Sequence, residues 1–246
     1  MYQDLQIGVT MLRIQNFSKS YKNGKKAVDN LSLEVLAGDI YGFIGHNGAG
    51  KTTTLRAVVG VLDFEEGEIE IDGMSIQRDT LYCKKQTAYI PDNPDLYEHL
   101  TGIQYLNFIA DIYEVTKAER EERIEKYASA FEIMSNLGDL IFSYSHGMRQ
   151  KLAIISAFIH KPKLLVLDEP FVGLDPKASH TLKCFMTELC TEGSAIFFST
   201  HVLEVAEKLC NKIAIIKGGK LIVSGDTEAV KGNQSLEAVF MELIEK

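Results

Sequence analysis

Eight consecutive residues, Gly45-His46-Asn47-Gly48-Ala49-Gly50-Lys51-Thr52, fit the spacing G-x-x-x-x-G-K-[ST] of a phosphate-binding loop. Their types dictate the chemistry. Gly45, Gly48 and Gly50 lack a Cβ, so the backbone can curl and turn successive N–H groups inward. A helix starting at Lys51 adds its unpaired N-terminal donors and its positive dipole end at the same point. Lys51 can then reach the β- and γ-phosphates of a nucleotide, and the Thr52 hydroxyl can ligate Mg²⁺.

A second chemical group closes an apolar run at 164–167: the paired carboxylates Asp168 and Glu169. A strand end is where an α/β sheet presents its ligands. Such an aspartate can hold Mg²⁺, and the carboxylate beside it can orient or deprotonate an attacking water. A plain charged turn is the competing reading, and the phosphate loop weighs against it. His201 ends another apolar run, after Ser199 and Thr200. A lone histidine is commonly structural, but at a strand end it can donate to a γ-phosphate oxygen. Ser145 can cap a helix over 147–160, which gives the chain a second anion-binding helix terminus. One nucleotide does not need two, so an ordinary cap stays open as the alternative. Tyr21 lies in a polar turn at 18–26, either stacked on a base or as a half-buried surface tyrosine. Asp175, in Gly-Leu-Asp-Pro, follows the carboxylate strand and faces a neighbour or the same site.

The elements that must hold these groups can be read from periodicity. Residues 12–17, 31–36 and 67–73 alternate apolar and polar, as half-buried strands do. Residues 40–44, 164–167 and 195–199 are continuous apolar runs that suit buried strands, and 88–92 is a strand ending at Pro91. Helices are expected at 51–59, 80–85, 117–131, 147–160, 177–191 and 202–209. Another begins at Thr101, with Tyr105, Phe108, Ile109 and Ile112 as its core stripe. Two glycines at 218–219 predict a hairpin between 212–216 and 221–223. Asp226 is expected to cap a last pair of helices.

Composition sets the outer bounds. A chain of 246 residues with 46% hydrophobic and 24% charged residues can bury a sizeable core. The net charge of −8 argues against nonspecific nucleic-acid binding. No apolar run is long enough to span a bilayer, and the first eleven residues lack the layout of a signal peptide. Cys83, Cys184, Cys190 and Cys210 show no C-x-x-C spacing and are read as reduced thiols.

Taken in order, Tyr21, the loop at 45–52, Asp92, Ser145 to Met148, the strand at 164–169, the segment 173–176 and His201 resemble the ATP-binding cassette (ABC) family of nucleotide-binding domains. The resemblance covers nearly the whole chain, from Leu12 to Gly225. It implies an α/β P-loop NTPase core, a mixed sheet with flanking helices and an N-terminal antiparallel β subdomain, plus an inserted all-helical subdomain. The core would take 12–92 and 163–225, the helical subdomain 93–162, a C-terminal helical extension 226–246 and a tail 1–11. By the same resemblance Glu169, His201 and Lys51 carry catalysis, and Thr52, Asp92 and Asp168 hold the metal. Tyr21, the loop residues through Thr53, Ser145, Gly147 and Asp175 contact ATP. The implied cofactors are ATP and Mg²⁺. The implied partners are a separate transmembrane permease and a second copy or a paralogue, paired head to tail when ATP is bound. The location implied is cytoplasmic, peripheral on the inner face of the membrane, with no nucleic acid involved.

Three positions depart from the family pattern. His46 replaces the common proline and is expected to point outward. Asp92 stands in place of the Q-loop glutamine, where an acidic oxygen can still approach the metal. The signature reads Ser-His-Gly-Met, retaining Ser145 and Gly147 and adding the His146 imidazole near the dimer interface. The implied role is the ATPase subunit of a transporter, an exporter by the combination of these motifs. Its coupling helix would enter near 92–97 and touch Tyr97, Tyr105 and Phe108. A competing class, ABC ATPases acting on ribosomes or DNA, is disfavoured by the single cassette, the missing heptads and the acidic charge. A P-loop kinase or small GTPase would leave the signature and His201 unexplained.

Overall fold

The computed structural model describes residues 8–21, 24 and 26–245. Strands β1 (Thr10–Ser20) and β2 (Lys26–Leu36) pair antiparallel. Strand β3 (Ile40–Ile44) then feeds the glycine loop, and α1 (Lys51–Val58) leaves it. Strands β4 (Glu66–Ile71) and β5 (Met74–Ser75) complete an antiparallel sheet of order β2-β1-β4-β5. Next come α2 (Thr80–Gln86) and β6 (Thr87–Ile90), followed by α3 (Gly102–Ile112), α4 (Lys117–Ala130) and α5 (His146–Ile159). The chain returns to the sheet as β7 (Leu164–Asp168), α6 (Pro176–Thr191), β8 (Ala195–Thr200) and α7 (Leu203–Leu209). It ends as the hairpin β9 (Lys212–Lys217) and β10 (Lys220–Asp226), then α8 (Thr227–Lys231) and α9 (Leu236–Glu245). The second sheet is mixed, of order β10-β9-β3-β8-β7-β6, with β9 and β10 antiparallel and the other pairs parallel.

Every residue of β3, β7 and β8 is buried, because this sheet is covered on both faces. Strand side chains alternate between faces, so each strand feeds two cores. Ile40, Ile44, Leu165, Leu167, Ile196 and Phe198 join the core under helices α3 to α6. Tyr41, Phe43, Leu164, Val166 and Phe197 join α1 and the antiparallel sheet on the other side. The phosphate-loop helix is thus clamped between two sheets. Helices α3 and α4 each start with a capping box, Thr101 with Gln104 and Thr116 with Glu119.

Four expectations are corrected. The buried face of α3 centres on Gly102, Leu106 and Ala110; Phe108 (41% exposed) and Ile112 (52%) fall on its far margin and stand out of the core. Thr10 and Met11, read as the end of a tail, open β1, and the Met11 side chain is buried. The C-terminal helices are no appendage, since Leu236 and Phe240 belong to the main core cluster. Asp226 does not cap α8 with its side chain; it is held in the β9–β10 ladder opposite Lys212.

His160, just past α5, lies where the helices meet β6. Its ring stacks on Tyr113 at 3.6 Å between centroids, and neither ring nitrogen makes a hydrogen bond. Burial pushes its pKa from 6.5 down to about 4, with the nearby Thr87 backbone opposing. Because the folded value lies below the unfolded one, only the unfolded chain takes up this proton as pH falls through 6.5. Stability should therefore drop by about 2 kcal/mol between pH 7 and pH 5 from this residue alone. Urea unfolding of wild type and His160→Phe at both pH values isolates it, and equal pH slopes would refute a buried neutral imidazole.

Candidate functional site

The loop from Gly45 to Gly50 is shaped by contacts that only glycine tolerates at two positions. A Cβ on Gly50, whose φ is +108°, would lie 2.5 Å from the Ala27 carbonyl oxygen. One on Gly45 would lie 2.7 Å from that of Ile216. The hairpin braces the loop from outside: Gly219 N–H donates to the Ala49 carbonyl at 2.9 Å, and Asp29 N–H donates to the Gly219 carbonyl at 2.8 Å. Helix α1 has no side-chain cap and no acidic residue in its first turn, which leaves its N-terminal donors for the loop's concave side.

Lys51 is buried, and its ammonium donates to the Gly45 carbonyl at 2.7 Å and lies 3.5 Å from Glu169 Oε1. Asp168, at the end of β7, is 1% exposed; its Oδ1 accepts from Ser199 Oγ on β8. Glu169 N–H donates in turn to Ser199 Oγ at 3.1 Å. Glu169 has a left-handed backbone, φ +49°, and its Oε2 lies 2.9 Å from His201 Nδ1. That bend turns consecutive carboxylates toward one spot. Strand-end register brings loop, carboxylates and histidine together because β3, β8 and β7 are neighbours in the sheet.

A cavity of about 610 Å³ opens over the loop. Besides the loop and Thr52, it is lined by Tyr21, Thr53, Asp92, Asp168 and Glu169. The Tyr21 hydroxyl is 3.2 Å from Thr53 Oγ1, and Asp92 Oδ1 accepts from Asn93 N–H at 3.0 Å. Asp168 Oδ2 and Glu169 Oε1 are buried acceptors with no hydrogen bond. The unpartnered Asp168 Oδ2 lines the same cavity as Thr52 and Asp92, and these hard oxygen donors fit a divalent cation.

Ser145, Gly147 and Asp175 do not line this cavity. They form a second group. Ser145 Oγ caps α5 by accepting from Met148 N–H at 3.3 Å. Asp175 caps α6 through Ala178 N–H at 2.8 Å and pairs with Lys151 of α5 at 2.9 Å. The His146 ring lies so close to Gly173 that a Cβ there would come within 2.8 Å of it. The outward expectation for His46 holds in that the residue is exposed, but its ring meets Phe240 of α9 at 5.0 Å. Motif reading missed Ser199 as the bridge between both carboxylates, and Lys26 and Gly218 on the cavity wall. Only Ser199 carried a signal, two residues before His201.

A glycine phosphate loop between a parallel strand and a helix, facing carboxylates on a nearby strand end, defines a P-loop ATPase fold. The family model for ABC transporter matches residues 28–172, and the chain belongs to that family as an ATP-binding, ATP-hydrolysing subunit. It is 32% identical to the ABC-type transporter ATP-binding protein EcsA of Bacillus subtilis (strain 168), over 96% of this chain and 97% of that one. A solved ATP-binding subunit of an ABC transporter superposes with a TM-score of 0.91 at 33% identity, over 95% of this chain and 99% of that one. The dimeric ATP-binding cassette MJ0796, bound to ADP and Pi, shares the fold with a TM-score of 0.80 at 23% identity, over 88% and 99%. Among the described residues no helix is long and apolar enough to cross a membrane.

Proposed function

We propose that two such subunits close head to tail around ATP, and that closure and hydrolysis drive export through a separate permease on the inner face of the membrane. The observation that carries this reading is the separation of the two anion-binding groups. The phosphate loop opens on its own cavity, while Ser145 and Gly147 sit at the N-terminus of α5 outside it. A site that needs both is completed by a second chain, a paralogue or another copy. The neighbour MJ0796 is dimeric. The domain reading keeps α3 to α5 as the inserted helical subdomain, with the core opening at Thr10 and the C-terminal helices packed onto it.

In this reading the loop N–H groups and Lys51 bind the phosphates, Tyr21 stacks on the base, and Asp175 contacts the nucleotide near the dimer face. Glu169 takes the proton of the attacking water and His201 steadies the γ-phosphate. Mg²⁺, held by Thr52, Asp168 and Asp92, would neutralise phosphate charge. Tyr97 (50% exposed) and Phe108, in ring contact at 5.6 Å, are the apolar surface offered to the permease; Tyr105, at 9%, is removed from that role. The combination of Asp92, the Ser-His-Gly-Met signature and Gly-Leu-Asp-Pro supports export over import.

Light scattering on Glu169→Gln with and without MgATP tests the shared site. A dimer is expected with MgATP, reduced at least tenfold in population by Ser145→Arg. A chain that stays monomeric at saturating MgATP, alone and with membrane extract from its own cell, would overturn the reading. Pull-down from detergent-solubilised membranes should recover a polytopic protein; ribosomes or DNA in its place would redirect the output.

A further inference from the structure

Helix α9 reaches the phosphate loop along two routes. The first is direct. Phe240 is 6% exposed, and its ring packs edge-on against the His46 ring at 5.0 Å and 61°. His46 is the second residue of the loop, and its carbonyl accepts from Lys51 Nζ at 3.4 Å. The second route is through the hairpin: Lys217 Nζ donates to the Ile244 carbonyl at 2.7 Å, and Gly219 N–H holds Ala49. At its other end α9 is fixed by Leu236 N–H donating to Glu207 Oε2 on α7 at 3.0 Å. A helix anchored at both ends thus packs one aromatic ring against a residue of the phosphate loop.

We propose that Phe240 is a positioning residue for ATP, acting through the His46 ring to hold the first turn of the phosphate loop. An aromatic in place of the usual imino ring at 46 makes the contact possible: the imidazole gives Phe240 a partner for an edge-type aromatic pair. Loss of the contact frees the 46–47 peptide and the carbonyl that keeps Lys51 in place. This inference rests on the reading of residues 45–52 as the ATP phosphate site.

The test is calorimetric titration of MgATP into the full chain. Phe240→Ala is expected to weaken binding roughly three- to tenfold. Phe240→Leu keeps apolar volume in the core, so it should hold the melting temperature near wild type and still lose affinity as Ala does. Phe240→Tyr should restore it. In a His46→Ala background Phe240→Ala should add less than about 1.5-fold, because the contact is already gone. Equal losses in both backgrounds, or a Leu variant that binds as wild type, would overturn the proposal. Lys51→Ala serves as the control: if it binds MgATP normally, the phosphate-site reading itself fails, whereas a Lys51-dependent site indifferent to Phe240 sinks only this inference.

Discussion

Glu169→Gln should bind MgATP as well as wild type or better, yet release phosphate about 10² to 10⁴ times more slowly. The amide keeps the side chain's size and can still accept from the His201 N–H, which lies 3.3 Å from Oε2. It cannot take a proton. The left-handed backbone at 169 and the hydrogen bond to Ser199 Oγ belong to the main chain and survive the change. Removal of the carboxylate charge also relieves repulsion toward phosphate oxygens, so affinity is not expected to fall. Steady-state phosphate release with ATP binding measured in parallel separates the two. Turnover near the wild-type rate would take the general base away from Glu169.

Lys51→Ala should show the opposite pattern: ATP affinity falls about 100-fold, corresponding to about 3 kcal/mol for a buried charge-assisted contact. The ammonium is held among the Gly45 and His46 carbonyl oxygens and Glu169, so its removal leaves acceptors facing acceptors inside the loop. Lys51→Arg should not rescue binding, because a planar fork does not fit a pocket shaped for a point charge. Titration of MgATP into each variant decides the matter; unweakened binding by the alanine chain would place the phosphates elsewhere.

What could be read in advance was local. The phosphate loop, the apolar strand before it, the helix after it and the cap at Ser145 announce themselves within a few residues. Periodicity places α3, but it counts apolar positions without knowing which are covered, so it puts Phe108 and Ile112 in the core although both stand exposed. Asp226 has the right type for a cap; the ladder partner that holds it, Lys212, lies across a hairpin. His46 against Phe240, Lys51 against Glu169 and Gly219 against Ala27 join residues more than a hundred positions apart, and no local pattern encodes them. His160 gave no motif at all, because its character comes from burial alone.

The strand that carries the phosphate loop has neighbours that are made late. β3 lies between β8 and β9, and the hairpin that braces the loop ends β9 roughly 170 residues after β3 ends. At ordinary translation rates a nascent chain waits about 10 to 35 s between making the loop and making its supports. Until β8 is made, β3, apolar on both faces, has no partner strand, and until the hairpin follows the loop has no brace. Biogenesis, more than the finished fold, is where this chain is exposed to aggregation, and ATP can stabilise it only after the ribosome has passed the hairpin.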